Sequence, residues 1–135
     1  MNIFSLLKKN KKYEKEIYGF KVLDKDMRSP LTVGHMKFEL GVEYTIKRNP
    51  SCLYRGYHYY ERILDCISNF GTFDYRIFKC KILGKIDSIN EIRCTNKIIL
   101  LEEVTKEEIS RYILENLDML LHSLFWQYTV DLYIP

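Results

Sequence analysis

Met36-Lys-Phe-Glu-Leu-Gly-Val-Glu-Tyr-Thr-Ile-Lys47 alternates residue by residue. Met36, Phe38, Leu40, Val42, Tyr44 and Ile46 fall on one parity, and Lys37, Glu39, Glu43 and Lys47 on the other. A period of two sends successive side chains to opposite faces of an extended chain. The stretch predicts a half-buried strand over residues 36–47, or two strands bent at Gly41, where the missing Cβ tolerates a kink.

Toward the N-terminus, Ile17-Tyr-Gly-Phe-Lys-Val-Leu-Asp24 reads as a first strand, closed by the turn residues Asp24, Asp26, Ser29 and Pro30. Before it lies an arm, residues 1–16, in which Ile3, Phe4, Leu6 and Leu7 precede Lys8, Lys9, Lys11, Lys12 and Lys15. Those lysines are the candidate nucleic-acid contacts. Toward the C-terminus, Asn49-Pro50-Ser51 breaks the alternation, and Cys52 to Tyr60 is a short strand or turn around Gly56. Ile63, Leu64, Ile67 and Phe70 recur at helical spacing and predict a short helix over 61–70, with Gly71 as its left-handed cap.

Alternation resumes from Tyr75 to Ile86 and again from Ile92 to Leu101, which gives two further strands. Thr105-Lys-Glu-Glu108 is a capping box, and apolar residues continue at helical spacing from Ile109 to Tyr128. The expectation is an α+β fold. Four or five mostly antiparallel strands carry a short helix at 61–70 and a long C-terminal helix at 105–128. A final edge strand is expected after Val130. Residues 17–135 form one domain behind the basic arm.

Length and composition narrow the function classes. A chain of 135 residues with 47% apolar and 29% charged residues buries a core and is neither disordered nor of low complexity. It contains no alanine and one glutamine, while Ile, Lys, Tyr, Asn and Phe abound, a usage that follows AT-rich codons. No apolar run reaches the ~20 residues of a membrane span, so no membrane role is expected. The net charge of +3 is too small to demand nucleic acid, although a basic head faces an acidic tail. Cys52, Cys66, Cys80 and Cys94 form no Cys-x-x-Cys pair, and none lies three or four residues from a histidine. No metal or cofactor is expected, and reduced thiols point to a cytosol.

Catalytic motifs are missing: there is no phosphate-binding loop, dinucleotide fingerprint, nucleophile elbow or zinc-protease helix. One constellation invites chemistry. His58 stands among Tyr57, Tyr59 and Tyr60, with Glu61 and Asp65 following. An imidazole between aromatic walls has its pKa moved by desolvation, and an acid beside it orients the ring. His58, Tyr59, Glu61 and Asp65 are therefore the residues of an enzyme reading. Arg55 and Arg62 interleaved with the three tyrosines offer stacking and charge for a nucleic-acid reading.

Several strings together resemble a family of short uncharacterised proteins of bacteriophages, prophages and other mobile elements. They are Lys21 to Met27, Phe38 to Tyr44, Cys52 with Gly56-Tyr57-His58, Cys94 to Ile98, and Glu102 to Glu108. The resemblance covers about residues 20–108 and departs at Tyr59-Tyr60. It implies a viral or mobile-element setting and supplies no catalytic residue. The leading expectation is a small non-enzymatic accessory protein that binds and inhibits a host protein, with anti-CRISPR action as the specific form. Its expected contact surface is Met119, Leu120, Phe125 and Trp126 on the C-terminal helix, which also offers a homodimer face. The alternatives are a small enzyme, ADP-ribosyltransferase-like or hydrolytic, centred on His58, and a nucleic-acid-binding protein.

Overall fold

The computed structural model describes residues 15–30, 35–118 and 121. Seven strands form one sheet: β1 (Ile17–Asp24), β2 (Glu43–Thr45), β3 (Tyr57–Tyr60), β4 (Tyr75–Ile82), β5 (Ile86–Ile89), β6 (Ile92–Thr95) and β7 (Lys97–Glu103). Among the described residues two helices accompany them, α1 (Ile63–Phe70) and α2 (Lys106–Glu115). Every strand pair is antiparallel, in the order β2-β7-β4-β1-β3-β6-β5.

The expected α+β fold is corrected to a mostly β one, with more strands and shorter helices. The run read as one strand from Ile92 to Leu101 is broken at Asn96 into β6 and β7. Ile86 to Ile89 adds a strand that turns back on β6 through Asn90, whose φ of 54° is the left-handed conformation Asn tolerates. The predicted long helix over 105–128 is corrected to ten residues. It starts as the capping box requires, with Thr105 Oγ1 accepting from the Glu108 N–H at 3.1 Å. The unbroken stretch ends at Glu115 with Asn116 as its C-cap, whose side-chain amide donates to the Tyr112 carbonyl at 2.8 Å; Leu117, Asp118 and Leu121 beyond that break are again helical. Residues 119–120 and 122–135, including the expected last strand, lie outside the described residues.

A second correction falls on residues 36–47. Only Glu43–Thr45 is a strand, paired with β7. Before it the chain makes a single bridge, Lys37 to Arg28. Phe38 is buried, while Leu40 and Val42, on the same parity, are exposed. The segment is a cover strap that inserts one ring.

One residue, Asn96, joins β6 to β7, yet β3, β1 and β4 stand between those strands in the sheet. Alpha carbons two residues apart are within about 7 Å of each other. The sheet therefore curls until its two halves meet at Asn96, as in a barrel. Neighbouring residues divide between two cores accordingly. Leu23, Tyr59 and Phe78 join Phe38, Ile98 and Leu100 in one cluster. Val22, Tyr60 and Ile77 join Ile63, Cys66 and Val104 in the other, beneath α1.

Gly19 marks where β1 meets β3. A Cβ there would stand 2.5 Å from a ring carbon of Tyr59 and 3.0 Å from the Tyr60 carbonyl oxygen. Gly19→Ala is expected to destabilise the fold by about 1–3 kcal/mol, the range for overpacking. Urea unfolding of the two proteins measures it, and unchanged stability would mean that the Tyr59 ring is free to move.

Candidate functional site: the 51–56 turn and its groove

Between β2 and β3 the chain makes a tight turn. Ser51 and Arg55 exchange two backbone hydrogen bonds of 2.8 Å, and the Tyr54 N–H donates to the Ser51 carbonyl. The turn throws Leu53 and Tyr54 outward, 73% and 83% exposed. Beside it runs an open groove of about 520 Å³, lined mainly by apolar groups including Met36, Ile46, Cys52, Ile89 and Ile92.

The sheet clamps this turn through Cys52. Asp87 Oδ2 accepts from the Cys52 N–H at 3.0 Å. His58 Nε2 donates to the Cys52 carbonyl at 2.8 Å, which sets the tautomer because a carbonyl only accepts. His58 Nδ1 is then an unprotonated nitrogen, buried and without a hydrogen-bond partner among the described residues. Burial lowers the His58 pKa, against the raising effect of its bond to Cys52. The bond from the Cys52 N–H is the main cause holding the Asp87 carboxyl below its ordinary value.

Behind His58 lies Lys21, 1% exposed. Its ammonium donates to the His58 carbonyl at 2.7 Å and stands 4.9 Å from the centre of the Phe38 ring. Desolvation brings its pKa down to about 8. Lys21, His58 and Cys52 thus form a relay from the interior to the turn, in which each group positions the next.

Cross-strand pairing sets His58 opposite Cys94, and Cys94 opposite Asp87, so all three share one face of β3, β6 and β5. Cys52 Sγ lies 3.0 Å from Cys94 Sγ. One ligand atom from each of Cys52, Asp87 and Cys94 falls within 4.8 Å of the other two, a geometry able to hold a metal ion. Burial pushes the Cys94 thiol up to about 12.

The other residues singled out from the sequence scatter. Tyr59 points into the interior, and desolvation raises its pKa to about 12. Glu61 pairs with Arg93 at 3.2 Å and Asp65 with Arg62 at 3.0 Å, and neither carboxylate hydrogen-bonds to His58. Tyr57, Tyr59 and Tyr60 are buried and present no face for a base to stack on. Lys15 is exposed, whereas Lys8, Lys9, Lys11 and Lys12 lie outside the described residues. Met119, Leu120, Phe125 and Trp126 also lie outside them. Asp24 serves its turn, accepting from the N–H groups of Asp26 and Arg28.

Sequence reasoning missed Leu53 and Tyr54, and it missed the convergence of Cys52, Asp87 and Cys94. For the first pair a signal existed: two large apolar residues sit between Ser51 and Arg55-Gly56, in a turn. For the thiols there was none, because 42 residues separate them.

The chain belongs to the family described as Domain of unknown function (DUF7666), whose model matches residues 17–112. That span opens on the first residue of β1 and takes in all seven strands and the groove. No curated protein and no solved structure matches the chain. Among the described residues no helix is long and apolar enough to cross a membrane.

Proposed function

We propose that this is a small binding protein of a bacteriophage or other mobile element, which acts in the host cytosol by docking on a host protein and inhibiting it. Interference with a bacterial defence system of the CRISPR type is the specific form. The observation that carries the reading is the clamped turn. Leu53 and Tyr54 are large apolar side chains held in solvent on a backbone that His58 and Asp87 fix from both sides. A preorganised loop loses little entropy on binding, and a Tyr beside a groove is the kind of anchor that dominates an interface.

Charge adds the character of the partner. Lys47, Arg48 and Arg55 are exposed around the turn and have no ion-pair partner among the described residues. The complementary surface carries an apolar recess ringed by acids. The engagement of His58 in positioning Cys52, and of Glu61 and Asp65 with arginines, supports a non-enzymatic role.

The test begins with a host whose CRISPR system restricts a phage. Expression of the chain is expected to restore plaque formation, and the doubly substituted Leu53→Asp, Tyr54→Ala protein to fail. Against the purified host target, that variant should bind roughly 30-fold more weakly or worse. Trp126→Ala serves as the comparison, because Met119, Leu120, Phe125 and Trp126 are the rival surface on sequence grounds. Loss with Trp126→Ala alone moves the docking surface to the C-terminal segment. No rescue by the unaltered protein overturns the anti-defence form. Binding that vanishes at moderate salt and follows added DNA or RNA assigns the nucleic-acid alternative.

A further inference from the structure

We propose that Cys52, Cys94 and Asp87 form a binding site for a single thiophilic divalent cation, with zinc as the fitting ion, beneath the 51–56 turn. The inference goes beyond the protein-binding reading and does not depend on it. Three observations carry it. The two sulfurs and a carboxylate oxygen converge within 4.8 Å from three separate places, the turn, β6 and β5. The two sulfurs are only 3.0 Å apart, so one ion reaches both. Asp87 is oriented before any ion arrives, since the Cys52 N–H holds its Oδ2.

The donor set selects the ion. Two thiolates with one carboxylate suit zinc, whereas calcium and magnesium take all-oxygen shells. Zinc–sulfur bonds of about 2.3 Å in tetrahedral geometry place the sulfurs about 3.8 Å apart. The thiols therefore part by roughly 0.8 Å to admit the ion, a small rotation of the two side chains that leaves the clamped backbone in place. Binding removes one proton from each thiol and forms two sulfur–zinc bonds and one oxygen–zinc bond, with no change of oxidation state. Three protein ligands leave the fourth position to water, and Cys52 lines the groove from which water enters. A disulfide would use the two sulfurs alone and leave Asp87 only its bond to the Cys52 N–H, whereas a cation uses all three groups.

Cobalt(II) added to the full-length, chelator-treated protein is the direct probe, because thiolate ligation gives it a near-ultraviolet charge-transfer band. One equivalent is expected to bind and develop that band, and zinc to displace it. Replacing both thiols (Cys52→Ser with Cys94→Ser) should abolish the band, while Asp87→Asn should weaken affinity about 10- to 100-fold with the band retained. Circular dichroism of each variant guards against a folding defect. If a variant fails to fold, the unaltered protein still decides the matter: absence of a saturable band at one equivalent overturns the proposal. So does mass spectrometry showing that the reduced protein converts to a Cys52–Cys94 disulfide in air at the same rate with and without equimolar zinc. These readouts are independent of any partner, so their failure leaves the docking reading standing.

Discussion

Phe38→Ala is expected to lower the unfolding free energy by about 3–5 kcal/mol, the range for removing a buried aromatic ring. The ring is 1% exposed and packs edge-on to Tyr44 and Tyr57 at centroid distances of 4.9 and 5.9 Å. It also faces the Lys21 ammonium, which would lose its aromatic neighbour. The prediction has an internal control. Leu40→Ala removes a residue of the same parity, two positions on, yet Leu40 is 49% exposed. Its effect should stay within about 0.5 kcal/mol. Urea unfolding of both variants measures the contrast. Comparable losses at the two positions would mean that residues 36–42 lie as a regular half-buried strand.

The second large effect concerns Lys21 and pH. The ammonium is buried, and its pKa falls from 10.5 to about 8. Below about pH 8 the amine is charged in both folded and unfolded chains, and its contribution is constant. Between about 8 and 10.5 the folded protein has shed the proton while the unfolded chain still binds it. The Lys21 contribution to stability therefore rises with pH across that window as the cost of burying the charge disappears. Lys21→Met has nothing to titrate. The unaltered protein should gain on this variant by about 3 kcal/mol between pH 8 and 10.5, then level off. Tyr59, Tyr60, Cys80 and Cys94, all pushed up to about 12, and Cys66, raised by burial, oppose the trend in each protein; all cancel in the comparison except Cys80, whose thiol the Lys21 charge holds down. A difference that stays flat over this window would place the amine in contact with water.

The relay from Lys21 to Cys52 explains why an aromatic-rich middle invites two readings. His58, Glu61 and Asp65 are close in sequence, and proximity of an imidazole to acids suggests acid–base chemistry. In the fold, His58 belongs to a strand and Asp65 to a helix that turns it toward Arg62. The acid that shares the face of His58 is Asp87, placed there by the pairing of three strands. Tyr57 and Tyr59 alternate with His58 into the interior, as strand geometry demands.

What can be read from residues in order is whatever depends on neighbours a few positions away. The strand at Ile17 to Asp24, the short helix beginning near Ile63 and the Thr105 cap are of that kind, because alternation, amphipathic spacing and capping bonds are local. The break at Asn96, the curling of the sheet, the insertion of Phe38 and the meeting of Cys52 with Cys94 were decided by tertiary structure alone. Each depends on which strands pair, and pairing is settled by burying two faces at once. Single-residue connections such as Asn96 carry no pattern of their own, and parity tells which side a residue faces without telling whether anything lies there. Leu40 and Phe38 share a parity and differ in fate for that reason: only one of them finds a closed interior opposite it.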